Sequence, residues 1–405
     1  MKNFLNFGLA ETFAKGGNLL LYFLITTVVP LDVYGVIAIF ISIELILLEA
    51  TLVGTHNYIL RNFSNLTVSK KNVLMNKILK INFVAFVLLQ AFIILTSFLQ
   101  FPLPENILIN ELQIFFVALY FSTFLQQTLC RLRAEGNVEK YVVIRVMAQI
   151  LKIVIILISV TKVPTTFAFC TSYLVANIIV VMLLSINHKL QLSDTMYLTK
   201  LSNYNAYKNI LVYSFPLCLH AVIGSTYSVF DRILVSNSFE IREFAIYSYA
   251  GMFGFAPFFI VSVIAITFMR DFFLYDYDNP KTKNALNSFL LYSVITTSII
   301  GVLVYFLIFP AVTQYTNPQY INGRSYLSFI LFMPILQCLI NFSTYRLMSQ
   351  QRVRMLPIIT GFCLMLYFIA SVILIPSYGI WGVIYSMIIV ECLMCIIFYL
   401  YSEWV

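Results

Sequence analysis

The sequence predicts an all-α integral membrane protein with twelve transmembrane helices in two six-helix halves. Three observations carry that prediction. First, 61% of the 405 residues are hydrophobic and only 10% are charged, with a mean hydropathy of +0.91. Soluble domains carry about 25% charged residues, so the apolar surface of this chain calls for lipid as its solvent. Second, apolar runs of about 20 residues, the length that spans a bilayer, recur along the whole chain. Third, Lys and Arg alternate between crowded and sparse connections, as the positive-inside rule requires.

The runs fall at 7–29, 34–55, 78–99, 112–132, 141–160, 164–186, 210–235, 244–268, 286–309, 326–347, 356–375 and 380–401. The first is the least apolar, because Glu11 and Lys15 lie inside it. The opening residues hold no clean apolar core with a cleavage site, so they are expected to stay as the start of the first span. With the N-terminus inside, seventeen Lys and Arg fall on the inner side and three on the outer side, the other five lying within spans. An odd number of spans would spoil that asymmetry, so both termini are expected in the cytoplasm. The net charge of +8 is thus topology information. The basic residues are scattered among short loops and form no face for nucleic acid.

The longest polar interruption lies near the midpoint. It divides the chain into an N-terminal bundle at 1–186, a cytoplasmic linker at 187–208 and a C-terminal bundle at 209–405. A faint internal echo agrees: CRLRAEGNVEKYVVI from Cys130 resembles YRLMSQQRVRMLPII from Tyr345, each between the fourth and fifth spans of its half. With an even number of spans per half, the two halves insert the same way and form a parallel repeat.

Charges inside spans are costly, at least ~2.5 kcal/mol each at a helix centre, so each needs a reason. Glu11, Lys15, Asn18 and Tyr22 recur at helical spacing and make one face of the first span polar. Arg145, Gln149 and Lys152 do the same in the fifth. His220, Gly224, Tyr227 and Asp231 do so in the seventh, where Arg232 adjoins Asp231. These stripes are expected to face a water-filled interior. The bland alternatives are an i, i+4 ion pair for Glu11 and Lys15, interface anchoring for Arg145, and snorkelling for Arg232 beside Asp231. Glu44, Lys152 and Glu391 sit closest to the centres of their spans, with Glu49 one and a half turns beyond Glu44. A carboxylate desolvated in such a place suits a proton carrier and a buried cation suits an anionic ligand.

Other chemistry is thin. Seven cysteines are scattered, and the Cys392–Cys395 pair inside an apolar run reads as polarizable helix filler. The three histidines show no metal-ligand spacing, and no glycine-rich phosphate loop suggests direct use of ATP. No cofactor is expected.

The segments VYSFPLCLHAVIGSTYSVFDRILV with IREFAIYSYAGMF, LDVYGVIAIF, CRLRAEGNVEKY, and PSYGIWGVIYSMIIVE together resemble the Wzx-type flippases. Those proteins belong to the multidrug/oligosaccharidyl-lipid/polysaccharide exporter superfamily. The resemblance spans nearly the whole chain and implies two six-helix bundles around a central cavity that opens alternately to each side. The implied substrate is an undecaprenyl-pyrophosphate-linked oligosaccharide, moved from the cytoplasmic to the periplasmic leaflet of a bacterial inner membrane. Membrane lipid and other polysaccharide-assembly membrane proteins are the implied partners. On this reading Lys15, Asn18, Arg145, Lys152, Tyr227, Asp231 and Arg232 meet the substrate, and Glu44, Glu49 and Glu391 are the ion-coupling candidates. The presumed interior counts five acids against four bases, which argues for a neutral or weakly charged glycan.

Two rivals stand beside it. A drug or cation antiporter of the same superfamily would share the fold. A membrane enzyme, such as an O-antigen polymerase or acyltransferase, would need a sizeable outer loop or a catalytic His or Arg constellation. The outer loops near 100–110 and 310–323 are short and poor in both.

Overall fold

The computed structural model describes residues 2–63, 66–98, 108–188, 204–258, 260–261, 263–265, 268, 279–350 and 355–404. All regular structure among them is helical. The chain runs through α1 (Lys2–Val28), α2 (Leu31–Leu52), α3 (Thr55–Asn62), α4 (Val68–Phe98), α5 (Ile109–Ala134), α6 (Val138–Lys162) and α7 (Thr166–His188). It continues through α8 (Tyr204–Ser238), α9 (Ile241–Gly254), α10 (Pro280–Leu303), α11 (Arg324–Ile330), α12 (Met333–Ser349), α13 (Leu356–Tyr378) and α14 (Ile380–Trp404). A π turn at Val304–Ile308 extends α10 into Phe309–Thr313.

Among the described residues, eleven helical segments are long and apolar enough to cross a membrane. The 27-residue α1 is long enough to be the twelfth, and its internal charges are what set it apart. The protein is therefore an all-α, multi-pass membrane protein. Leu88, Phe92, Phe306, Met365 and Ile373 are each more than 60% exposed. Such a surface would aggregate in water and is ordinary against acyl chains.

Two departures from the sequence expectation are local. The second span does not run into a plain loop: at Val53 and Gly54 the backbone turns left-handed and the short α3 follows. A Cβ on Gly54 would lie 2.4 Å from the Ser214 carbonyl oxygen, so glycine lets α8 approach closely. The seventh span begins earlier than its apolar run, with Pro216 held inside α8, as membrane helices tolerate. Of the linker expected at 187–208, residues 189–203 lie outside the described residues, as does 351–354 in the second copy of the internal echo. The first copy is a helix–turn–helix: α5 ends, Gly136 takes a left-handed turn (φ 69°), and the Asn137 side chain caps α6 by accepting from the Lys140 amide.

The chain divides into two compact units, one made of residues 36–226 and the other of residues 1–35 with 227–405. Within the first, Ile59, Phe63, Ile78 and Ile210 form one apolar cluster. Polar side chains join neighbouring helices: Thr166 donates to Glu111 at 2.5 Å between α7 and α5, and Thr55 donates to Asn82 at 3.2 Å between α3 and α4. In the second unit Met333, Leu336, Tyr367, Met387 and Phe398 form the core of α12, α13 and α14. There a Cβ on Gly382 would lie 2.4 Å from the Leu374 carbonyl oxygen, and Ser371 and Ser386 share a buried 2.8 Å hydrogen bond. Small residues and interhelical hydroxyls of this kind pack helices in lipid, where hydrophobic association is absent.

Candidate functional site

Within residues 36–226, three helices bring one charged cluster together. Glu44 comes from α2, Lys152 from α6 and Tyr173 from α7. The Tyr173 hydroxyl donates to Glu44 Oε1 and accepts from Lys152 Nζ at 2.9 Å. Lys152 Nζ lies 3.8 Å from Glu44 Oε1 and 4.2 Å from the centroid of the Tyr173 ring. The side chains of Lys152 and Glu44 are 14% and 16% exposed, whereas Tyr173 is 1% exposed. Arg145, two turns earlier on α6, adds its charge to the field at Lys152. In the sequence no cation lies within a turn of Glu44; the fold supplies one from 108 residues away.

Glu49, further along α2, has one carboxylate oxygen buried with no hydrogen-bond partner among the described residues. Its carbonyl accepts from the Cys218 thiol on α8 at 3.6 Å.

The other unit holds a second cluster. Asp231 on α8 is 1% exposed and accepts from the Tyr247 hydroxyl on α9 at 2.7 Å. Glu391 on α14 is 3% exposed and accepts from the Gln337 amide on α12 at 2.9 Å. Tyr227 and Tyr367 meet near them at a 54° tilt with ring centroids 5.7 Å apart, and Tyr367 lies in the fields of both carboxylates. One oxygen each of Asp231, Glu391, Tyr227 and Tyr367 is buried with no partner among the described residues. Four oxygens left in that way need water, an ion or a proton to satisfy them.

Of the polar stripe on α8, Tyr227 and Asp231 are 5% and 1% exposed, while His220 and Gly224 are half-buried. The Tyr247 hydroxyl supplies Asp231 with a donor that solvent would otherwise provide. Arg232, one residue on, points elsewhere on the helix: its guanidinium lies 5.7 Å from the centroid of Phe255 and beside Gly251. Lys15 and Asn18 are half-buried, one turn apart on α1. Sequence reasoning missed Tyr173, Tyr247, Tyr367 and Gln337. The only signal was an excess of tyrosine, 26 in all, which marks no individual position.

No family model matches the sequence, and no curated protein does. Solved structures do. The lipid II flippase MurJ in an inward closed conformation matches with a TM-score of 0.74 and 15% identity, over 98% of this chain and 87% of that one. A multidrug resistance MATE family transporter of the MOP superfamily, inward-facing, matches at 0.69 and 15% over 97% and 94%. An outward-facing structure described in the same terms matches at 0.64 and 16% over 99% and 94%. These neighbours are transporters and a flippase, not enzymes. At such identities the likeness speaks for the fold alone, and the fold of this chain is similar to that of these solved membrane transporters.

Proposed function

We propose that this chain flips undecaprenyl-pyrophosphate-linked O-antigen or related polysaccharide repeat units from the cytoplasmic to the periplasmic leaflet of a bacterial inner membrane. The two bundles, 1–186 and 209–405, would alternate access to a cavity, with both termini in the cytoplasm and transport driven by an ion gradient. A pyrophosphate-linked sugar chain cannot enter hydrocarbon unaided, whereas its polyprenyl tail can stay there. The carrier then has to offer fixed charge and hydroxyls at membrane depth. The observation that carries this reading is the Glu44–Lys152–Tyr173 cluster, which places a cation and a phenol together within three apolar helices. The likeness to a lipid II flippase and the resemblance to Wzx-type sequences support it. Lys15, Asn18, Arg145, Tyr227, Asp231 and Arg232 are the further substrate-facing candidates, and other polysaccharide-assembly membrane proteins are the proposed partners.

A second reading, export of cationic drugs, is favoured by the enclosed carboxylates of Asp231 and Glu391, because paired acids suit cations. One experiment separates the two. Deleting the gene should trap lipid-linked repeat units on the cytoplasmic face without raising sensitivity to cationic dyes. The reverse pattern would replace the flippase with the drug exporter.

A further inference from the structure

We infer that Glu44 is a built-in competitor for the anionic group of the substrate, held against Lys152 by Tyr173 until that group displaces it. The geometry is not that of a sealed structural ion pair. A direct ammonium–carboxylate bond measures about 2.7–2.9 Å, yet Lys152 Nζ stays 3.8 Å from Glu44 Oε1. The closer contacts of both charges go to the Tyr173 hydroxyl, which lies between them. Neither charged side chain is fully enclosed, whereas the phenol that links them is. The fixed element is therefore the tyrosine, and the two charges are parked on it.

A lysine carries three donors and a phenol one rotatable proton. An oxyanion arriving beside Lys152 could take an N–H from the lysine, which now donates to Tyr173, and the O–H of Tyr173, which now donates to Glu44. The displaced carboxylate would then stand near the incoming negative charge and oppose its stay. Arg145, on the same helix, offsets part of that repulsion. Such an arrangement selects for ligands whose charge is strong enough to replace a carboxylate, and it limits how tightly they are held. Neutral lipids gain nothing at the site, which is selection by an unfavourable element as well as a favourable one. A carrier must release what it binds, so a resident competitor fits transport better than a bare cation.

The proposal rests on the flippase reading for the identity of the anion, a polyprenyl pyrophosphate. The test is equilibrium binding to the full-length protein in nanodiscs, using labelled farnesyl pyrophosphate, with inorganic pyrophosphate and farnesol as comparison ligands. Wild type should bind farnesyl pyrophosphate well above farnesol. Glu44→Gln should tighten that binding about five-fold, the scale of a partly exposed ion pair removed. Tyr173→Phe should weaken it, and Lys152→Met should reduce it at least ten-fold. The Glu44→Gln, Lys152→Met double variant should bind like Lys152→Met, because a competitor matters only while the cation is present. Inorganic pyrophosphate binding as tightly as farnesyl pyrophosphate would place the ligand in solution and overturn the lipid-linked assignment. If wild type binds farnesyl pyrophosphate and Glu44→Gln binds it equally or less well while its melting temperature is unchanged, the competition is overturned and the flippase reading survives. If Glu44→Gln unfolds, Glu44→Asp replaces it, and unchanged affinity there counts against the proposal. Absence of anion binding in wild type and Glu44→Gln alike overturns both.

Discussion

Arg242 holds Asp32 in a two-pronged grip, with Nε 2.8 Å from Oδ1 and Nη2 3.2 Å from Oδ2, across 210 residues of sequence. Asp32 opens α2 and Arg242 opens α9, so the pair ties the α1–α2 corner to the α8–α9 corner. On the proposed bundle division and orientation it would join one half to the other at the periplasmic side, where an alternating carrier would have to part. Asp32→Arg and Arg242→Asp should each impair flipping, and the double exchange should restore it in part. Because both side chains are about half exposed or more, the single-variant defects should shrink in high salt. Proteoliposome flipping rates check this. Equal defects in the single and double variants would show that the charges act independently.

Glu391 and its Gln337 partner supply the next test. If the enclosed carboxylates of α8 and α14 carry the driving ion, Glu391→Gln should insert normally, keep its melting temperature and lose most of its response to an imposed ion gradient. Gln337→Ala removes one hydrogen bond and should weaken that response without ending it. Flipping with and without proton and sodium gradients separates the ions. A full response in Glu391→Gln would move the coupling role to Glu44 or Glu49.

His56, on the short α3 outside the spans, has its pKa pushed down to about 4, by burial first and by the nearby Arg133 charge second. In the unfolded chain a histidine titrates near 6.5. The folded protein therefore binds fewer protons between those values, and its stability falls as pH drops below about 6.5. Going from pH 7 to pH 5 should cost on the order of 2 kcal/mol from this residue. Thermal melts of the detergent-solubilised protein should show a smaller acid loss in His56→Gln. An unchanged pH dependence in that variant would assign the loss to other groups.

Gly54 combines φ 66° with a 2.4 Å approach to the Ser214 carbonyl oxygen. Gly54→Ala meets both left-handed strain and a backbone clash, so it should destabilise by about 1–3 kcal/mol. The readout is a lower melting temperature and poorer yield. Gly136→Ala, with similar φ but open space around it, should lose less, since only the strain remains.

Orientation is open to reporter fusions. Fusions at Thr67 and Lys281 should read as cytoplasmic and one at Asn317 as periplasmic. A fusion within the linker, at Leu198, should also read as cytoplasmic. A periplasmic signal there would end the six-plus-six reading.

The helices were readable because lipid leaves only one answer for an apolar run of that length: every backbone N–H and C=O must be satisfied inside the segment. The short α3 was not, since THNYILRN is polar and its start depends on left-handed backbone at Val53 and Gly54. Glu44, Lys152, Asp231 and Glu391 stood out because charge in an apolar run is rare. Their partners did not, because a neutral tyrosine or glutamine costs little in a helix and carries no periodicity of its own. Lys152 and Glu44 are as polar at 108 residues' separation as at four, and only tertiary packing chooses between those neighbours.

The joining of residues 1–35 with 227–405 in one compact unit bears on how the protein is made. A ribosome adds about 5–20 residues per second, and about 190 residues separate α1 from the start of its unit's remainder. The first helix would thus wait roughly 10–40 s in the membrane before its neighbours arrive. It is also the helix with Glu11 and Lys15 inside it, the one least able to rest alone in hydrocarbon. The insertion machinery, or the bilayer surface, would have to shelter it through that interval. A truncated chain ending before α8 should leave α1 the most readily extracted and degraded part of the nascent protein.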